Sequence, residues 1–102
     1  MPAVYCATKS AVIGLTRCDA VDYSPFQIRV NAVCPGIIDT PMTRPLNPEE
    51  KTFSLDKEIE MSAMKRKGTV GEVADVVCFL ASEKASFVQG AAWVVDGGYT
   101  IV

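Results

Sequence analysis

Apolar residues recur at helical spacing from the start of the chain. Val4, Ala7, Ala11, Val12, Leu15 and Cys18 or Ala20 fall on one side of a 3.6-residue repeat. The spacing predicts a helix from about Ala3 to Tyr23. A second stripe on it, Ala7, Ser10 or Ala11, and Gly14, is made of small residues. Gly14 costs ~1 kcal/mol of helix propensity against Ala, so a tight packing contact is its expected compensation. The helix stops at the "YSPF" stretch, where Pro25 lacks a donor and restricts the residue before it.

The period then changes. Ile28, Val30, Ala32, Val33 and Cys34 form a short apolar run with β-branched members, cut off by Pro35-Gly36. That pattern predicts a buried strand ending in a turn. From Ile37 to Gly68 the periodicity is lost, with Pro41, Pro45 and Pro48 among many charges. Such a length suits a lid or binding loop better than a simple connection. Within it, "NPEEKTFSLDKEIEMSAMKRK" predicts a short helix, with Asn47 as cap and Pro48 at the first helical position. "TVGEVADVVCFLAS" is the clearest helix: Thr69 and Glu72 have capping-box spacing, and Val73, Val76, Val77 and Leu80 make an apolar face. Ala92 to Val95 predicts a second buried strand, broken by Asp96-Gly97-Gly98. Helix, strand, long loop, helix, strand is an α/β order. The helix between the strands makes them parallel.

Composition narrows the function. The 102 residues suit one small domain, and 49% of them are apolar, so a core is expected and disorder is not. A net charge of −2 with mixed signs gives no basic patch for nucleic acid. No basic segment followed by a long apolar run opens the chain, and no stretch is long enough to span a bilayer. A cytoplasmic protein is the expectation. There is no His, which removes Ser–His–Asp and Cys–His catalysis and His-ligated metals. Cys6, Cys18, Cys34 and Cys78 contain no C-x-x-C spacing; they are expected as reduced thiols acting as small hydrophobes, without a disulfide framework or a metal site.

Candidate chemistry begins at "YCATK". Tyr5 and Lys9 are one helical turn apart and share a face. A Lys⁺ near a phenol favours the phenolate, whose unperturbed pKa is about 10. One such pair is common in helices, so it reads as a tuned acid–base pair or as chance neighbours. Pro35-Gly36 lies beyond the carboxyl end of a strand, where ligands of open α/β sheets bind; the plainer reading is an ordinary turn. Asn31 reads as a satisfier of backbone groups.

Four stretches together, "YCATK", "NAVCPGIIDTPM", "KGTVGEVADVVCFLAS" and "ASFVQGAAWVVDGG", resemble the C-terminal half of the classical short-chain dehydrogenase/reductase family. The resemblance covers nearly the whole chain. It implies the C-terminal part of a Rossmann-type, doubly wound parallel sheet. It also implies an oxidoreductase that moves a hydride between NADP or NAD, with a lean to NADP, and a carbonyl or alcohol. By the same resemblance Tyr5 is the acid/base, and Lys9 assists it and holds the nicotinamide ribose. Pro35 and Gly36 pass the nicotinamide, backbone groups of Ile38 meet its carboxamide, and the Thr40 hydroxyl adds a contact. Residues 37–67 become a substrate loop. Its apolar members Ile37, Met42, Leu46, Phe53, Met61 and Met64 suggest a fairly hydrophobic small-molecule substrate. The Ala3–Tyr23 helix becomes a homo-oligomer interface in a complete protein, the alternative being packing on its own sheet. Trp93 and the tail resemble a final strand near subunit contacts, with core packing the plainer reading for Trp93.

Two departures, Val70 where the family often has Pro and Gln89 where Thr is usual, touch no chemistry. The family's glycine-rich phosphate loop, its catalytic Ser and a helix-borne Asn would lie upstream of Tyr5 and have no counterpart in these residues. The expectation is therefore half of a dehydrogenase, inactive and prone to associate by itself. The alternatives are an inactive remnant that pairs with intact family members and, more distantly, an unrelated α/β binding module.

Overall fold

The computed structural model describes residues 3–45, 47, 49 and 54–101. In chain order come helix α1 (Ala3–Tyr23), strand β1 (Ala32–Pro35), short helix α2 (Asp56–Met61), helix α3 (Val70–Ala81) and strand β2 (Ala92–Val95). Single 3₁₀ turns follow α1 and lie at Pro41–Thr43, Glu83–Ala85 and Tyr99–Ile101. The two strands pair in one sheet. Gly90 N–H donates to Val30 O, Ala32 N–H to Ala91 O and Gly36 N–H to Val95 O, at 2.8, 2.8 and 3.0 Å. Partner positions advance together along both segments, so the strands are parallel, as the element order predicts.

The chain divides into two compact units: residues up to Val33 with Cys78–Trp93, and Cys34–Val77 with the residues from Val94 on. In the first, Thr16, Ala20, Leu80 and Ala85 are buried. The helix ends where Pro25 predicts, in a 3₁₀ turn at Ser24–Phe26. Gln27 then takes the left-handed conformation (φ 59°) and its N–H closes on Ser24 O.

Gln89 holds that exit in place. Its Oε1 accepts the Val30 N–H at 2.7 Å, and its Nε2 donates toward Ala20 O, Ser24 Oγ and Ile28 O at 2.9, 2.8 and 3.0 Å. Asn31 works as the sequence suggests: its Nδ2 donates to Val88 O and its Oδ1 accepts from Ala91 N–H, both at 2.9 Å. Residues 28–31 thus approach β1 extended and fastened by side chains, and the regular strand is shorter than the apolar run.

Several expectations of burial are corrected. On α1, Val4, Val12, Leu15 and Val21 are exposed, and a Cβ added at Gly14 would meet nothing within 4 Å. The packing contact expected to compensate Gly14 is not made by the described residues; only Thr16 and Ala20 of this helix are buried. In β2, Ala92, Trp93 and Val94 are exposed, and β1 is half-buried at best. A parallel strand is buried only when a layer covers each face, and two strands with these helices lack those layers. Trp93 does pack on Phe79, with ring centroids 5.8 Å apart and planes tilted by 48°, yet is no core residue. Cys6, Cys18 and Cys78 are exposed, so only half-buried Cys34 fits the role of a small hydrophobe.

In the second unit the capping box of α3 is reciprocal. Thr69 N–H donates to Glu72 Oε1 at 3.0 Å, and Glu72 N–H donates to Thr69 Oγ1 at 3.1 Å. The helix expected after Asn47 starts instead at Asp56. Asn47 Oδ1 accepts the Glu49 N–H, a local turn that competes with helix. Pro48, Leu46 and Phe53 lie outside the described residues.

Gln89→Ala leaves the Val30 N–H without its acceptor and removes the donor that serves three oxygens. We expect it to cost about 1–3 kcal/mol, read from urea unfolding followed by Trp93 fluorescence. A change below about 0.5 kcal/mol, the scale of an unremarkable surface substitution, would mean that water replaces the amide.

Candidate active site

Tyr5 and Lys9 stand in the first turns of α1, one turn apart, both exposed. The helix brings them together as the spacing requires: Lys9 Nζ lies 5.5 Å from the centroid of the Tyr5 ring. The ammonium approaches the ring in cation–π fashion, a contact worth about 0.5–1 kcal/mol at an exposed site. Thr8 Oγ1 donates to Tyr5 O at 2.9 Å and so leaves the phenol out of the local bonding.

Pro35, Gly36, Ile38 and Thr40 belong to the second unit. Pro35 is the exposed last residue of β1. Gly36 has no room for a side chain: a Cβ there would sit 2.7 Å from Asp96 Cα. Past it, Ile38 bridges Gly68 in parallel; Gly68 N–H donates to Ile37 O and Asp39 N–H to Gly68 O, both at 2.9 Å. A Cβ at Gly68 would fall 2.8 Å from Ile38 Cδ1, so this approach also needs glycine.

The segment is then pinned from several sides. Arg44 grips Asp39 through two bonds, Nε to Oδ1 at 3.0 Å and Nη2 to Oδ2 at 3.2 Å, and holds its carboxyl below the usual range. Lys67 Nζ donates to Thr43 O at 3.0 Å. Thr43 Oγ1 accepts the Thr40 N–H at 3.1 Å and donates to Ile38 O. Thr43, Lys67 and Gly68 carry no sequence signal of this role, because each acts on residues far from it or through one rotamer.

A cleft of about 300 Å³ opens in the same unit. Ile37, Ile38, Val73 and Val95 give it apolar walls, and Arg66 and Glu72 stand at it as a forked ion pair with both bonds at 2.9 Å. Arg66, then the Thr69 cap, bring the Glu72 carboxyl down to about 2. Asp96 closes the cleft's other side. Thr100 Oγ1 and the N–H groups of Gly98 and Thr100 donate to its carboxylate at 2.8–3.0 Å, and its carboxyl is held below the usual range, chiefly by the Thr100 hydroxyl. Gly97 and Gly98 both take positive φ, 61° and 82°, which the turn requires. Gly97 O accepts the Met64 N–H at 3.0 Å.

Residues 1–100 match the family model described as enoyl-(acyl carrier protein) reductase. The chain belongs to the short-chain dehydrogenase/reductase family. It is 47% identical over 102 residues to 2-(R)-hydroxypropyl-CoM dehydrogenase of Xanthobacter autotrophicus, covering 98% of this chain and 39% of that protein. It is 45% identical over 98 residues to meso-2,3-butanediol dehydrogenase of Serratia marcescens, covering 96% and 38%. Among solved structures, the aldohexose dehydrogenase of Thermoplasma acidophilum superposes with a TM-score of 0.85 at 42% identity, over 96% of this chain and 41% of that one. The 3-oxoacyl-[acyl-carrier protein] reductase of Brucella melitensis gives 0.83 at 42% identity, over 94% and 34%. The chain therefore spans less than half the length of these relatives, and its fold is the C-terminal part of their Rossmann-type sheet. Among the described residues, no helix is long and apolar enough to cross a membrane.

Two outcomes test this geometry. Gly36→Ala must push β1's exit away from Asp96 backbone, and overpacking of this kind costs about 1–3 kcal/mol, visible in the denaturation midpoint. The Glu72 carboxyl, followed by carbon NMR, should titrate near 2 in the folded chain rather than at its ordinary 4.5. Its folded value is depressed, so the unfolded chain binds more protons in between. The support Glu72 gives is complete above about 4.5 and is lost as pH falls through about 2.

Proposed function

We propose that this chain carries the acid–base pair and the nicotinamide-facing turn of an NAD(P)-dependent oxidoreductase acting on an alcohol or carbonyl. The observation that carries the reading is Lys9 Nζ set against the exposed Tyr5 ring on α1, in a chain of this family. The turn fits the cofactor on chemical grounds. A carboxamide needs a donor for its oxygen, and Ile38 N–H makes no hydrogen bond among the described residues.

When bound, the nicotinamide dinucleotide supplies or accepts the hydride. Tyr5 then gives its phenolic proton to the carbonyl oxygen as the carbonyl carbon is reduced, and takes one back in the oxidative direction. Lys9 offsets negative charge on the phenol oxygen when the proton has left, and its ammonium donates to ribose hydroxyls. Pro35 and Gly36 line the nicotinamide, and Ile38 and Thr40 hold its carboxamide. The lean to NADP follows from a reductive role.

Residues 37–67 act as the substrate loop. The apolar walls contributed by Ile37, Ile38 and Met64 favour a fairly hydrophobic small molecule. The exposed apolar residues of α1 support pairing of that helix with a second copy in the intact protein, in the cytoplasm.

In the intact protein, Tyr5→Phe should lower turnover by about 10²–10⁴-fold while reduced cofactor still binds. Lys9→Met should weaken both. Turnover is followed by the near-ultraviolet absorbance of the reduced nicotinamide, and binding by calorimetry. Near-normal kcat in Tyr5→Phe removes the acid/base assignment.

A further inference from the structure

At Ile38 the two backbone polar groups are in different situations. The carbonyl already accepts the Thr43 hydroxyl at 2.5 Å, a short bond, which lowers its pull on a second donor. The N–H has no hydrogen bond among the described residues. Neighbouring groups are occupied: Asp39 N–H by Gly68 O, Thr40 N–H by Thr43 Oγ1, and Thr40 O by Thr43 N–H. A ligand reaching Ile38 therefore meets a donor beside an acceptor that is already engaged. Thr43 makes the difference, and Lys67 fixes Thr43 through its carbonyl from 24 residues away.

We infer that Thr43 is a positioning residue that orients the nicotinamide carboxamide, by engaging the Ile38 carbonyl so that only Ile38 N–H is left to read the amide. This rests on the oxidoreductase reading above. An amide has an acceptor end and a donor end. A residue offering both kinds of group accepts either end; one offering its N–H selects the oxygen. Val is close to Thr in shape but has no hydroxyl, so Thr43→Val returns the carbonyl to the ligand and leaves the Thr40 N–H without its acceptor. Ser keeps the hydroxyl.

Calorimetry on the intact protein decides it with three probes: NADH, its 3-acetylpyridine analogue, and ADP-ribose. The analogue keeps the oxygen but has no amide N–H, and ADP-ribose has no nicotinamide. Thr43→Val should bind NADH about 5- to 30-fold more weakly, with ADP-ribose affinity unchanged. The NADH-to-analogue affinity ratio should rise about threefold or more, because only the amide can use the released carbonyl. Thr43→Ser should restore both values.

A purely structural role would leave the ratio unmoved, and that result overturns the inference. So does unchanged NADH affinity in Thr43→Val; the oxidoreductase reading survives in either case. Failure of the unsubstituted protein to bind NADH overturns that reading and the inference with it. Loss of ADP-ribose binding by Thr43→Val would mark a fold defect. Thr43→Ala then removes the same hydroxyl with less bulk, and its affinity ratio decides.

Discussion

Parallel backbone bonding between residues 30–36 and 90–95 governs where everything else can stand. Parallel strands finish at the same end, so the turns that leave them finish there too. Gly36 and Asp96 meet at that end so closely that one of them must be glycine. Their turns become the polar, irregular part of the second unit, the place where open α/β sheets keep their chemistry. Parallel strands also demand a long crossover, which here includes α3 and its reciprocal cap. In the first unit, side chains do what a longer ladder would otherwise do. Asn31 and Gln89 serve backbone groups that the short strands leave unpaired.

What the sequence made legible was local. The bounds of α1 and β2, the stop at Pro25 and the Thr69–Glu72 box follow from period, from a missing donor and from a three-residue spacing. The pairing of Tyr5 with Lys9 is equally local, because a helix imposes it. Burial was not legible. Whether Val94 or Gly14 is covered depends on layers that no single stretch encodes. Asn47 misled for a related reason: a short polar side chain serves a turn as well as a cap, and the choice belongs to the residues beyond it. The bonding around Ile38 was out of reach because it needs one Thr43 rotamer and a bridge to Gly68, neither of which has a composition signal.

Gln89 illustrates how a departure from a family's usual residue can be absorbed. A longer amide reaches four groups at once, three of them backbone and the fourth the Ser24 hydroxyl. The position serves the joint between α1 and the approach to β1. The change from Thr is one of architecture, and Tyr5 and Lys9 at the other end of the helix are not addressed by it.

The bridge between Ile38 and Gly68 ties the two ends of one excursion of the chain to each other. Arg44 on Asp39 and Lys67 on Thr43 tighten the same knot. What lies beyond the knot is therefore mechanically separate from the turn that precedes it. Closing a longer excursion costs little, about 0.6 kcal/mol for each doubling of length. Sequence beyond Pro45 can drift, lengthen or be exchanged for that of another family member while the Pro35–Thr40 geometry stays as it is. A fold arranged in this way evolves new specificities as one changes the bit of a drill, without re-machining the chuck.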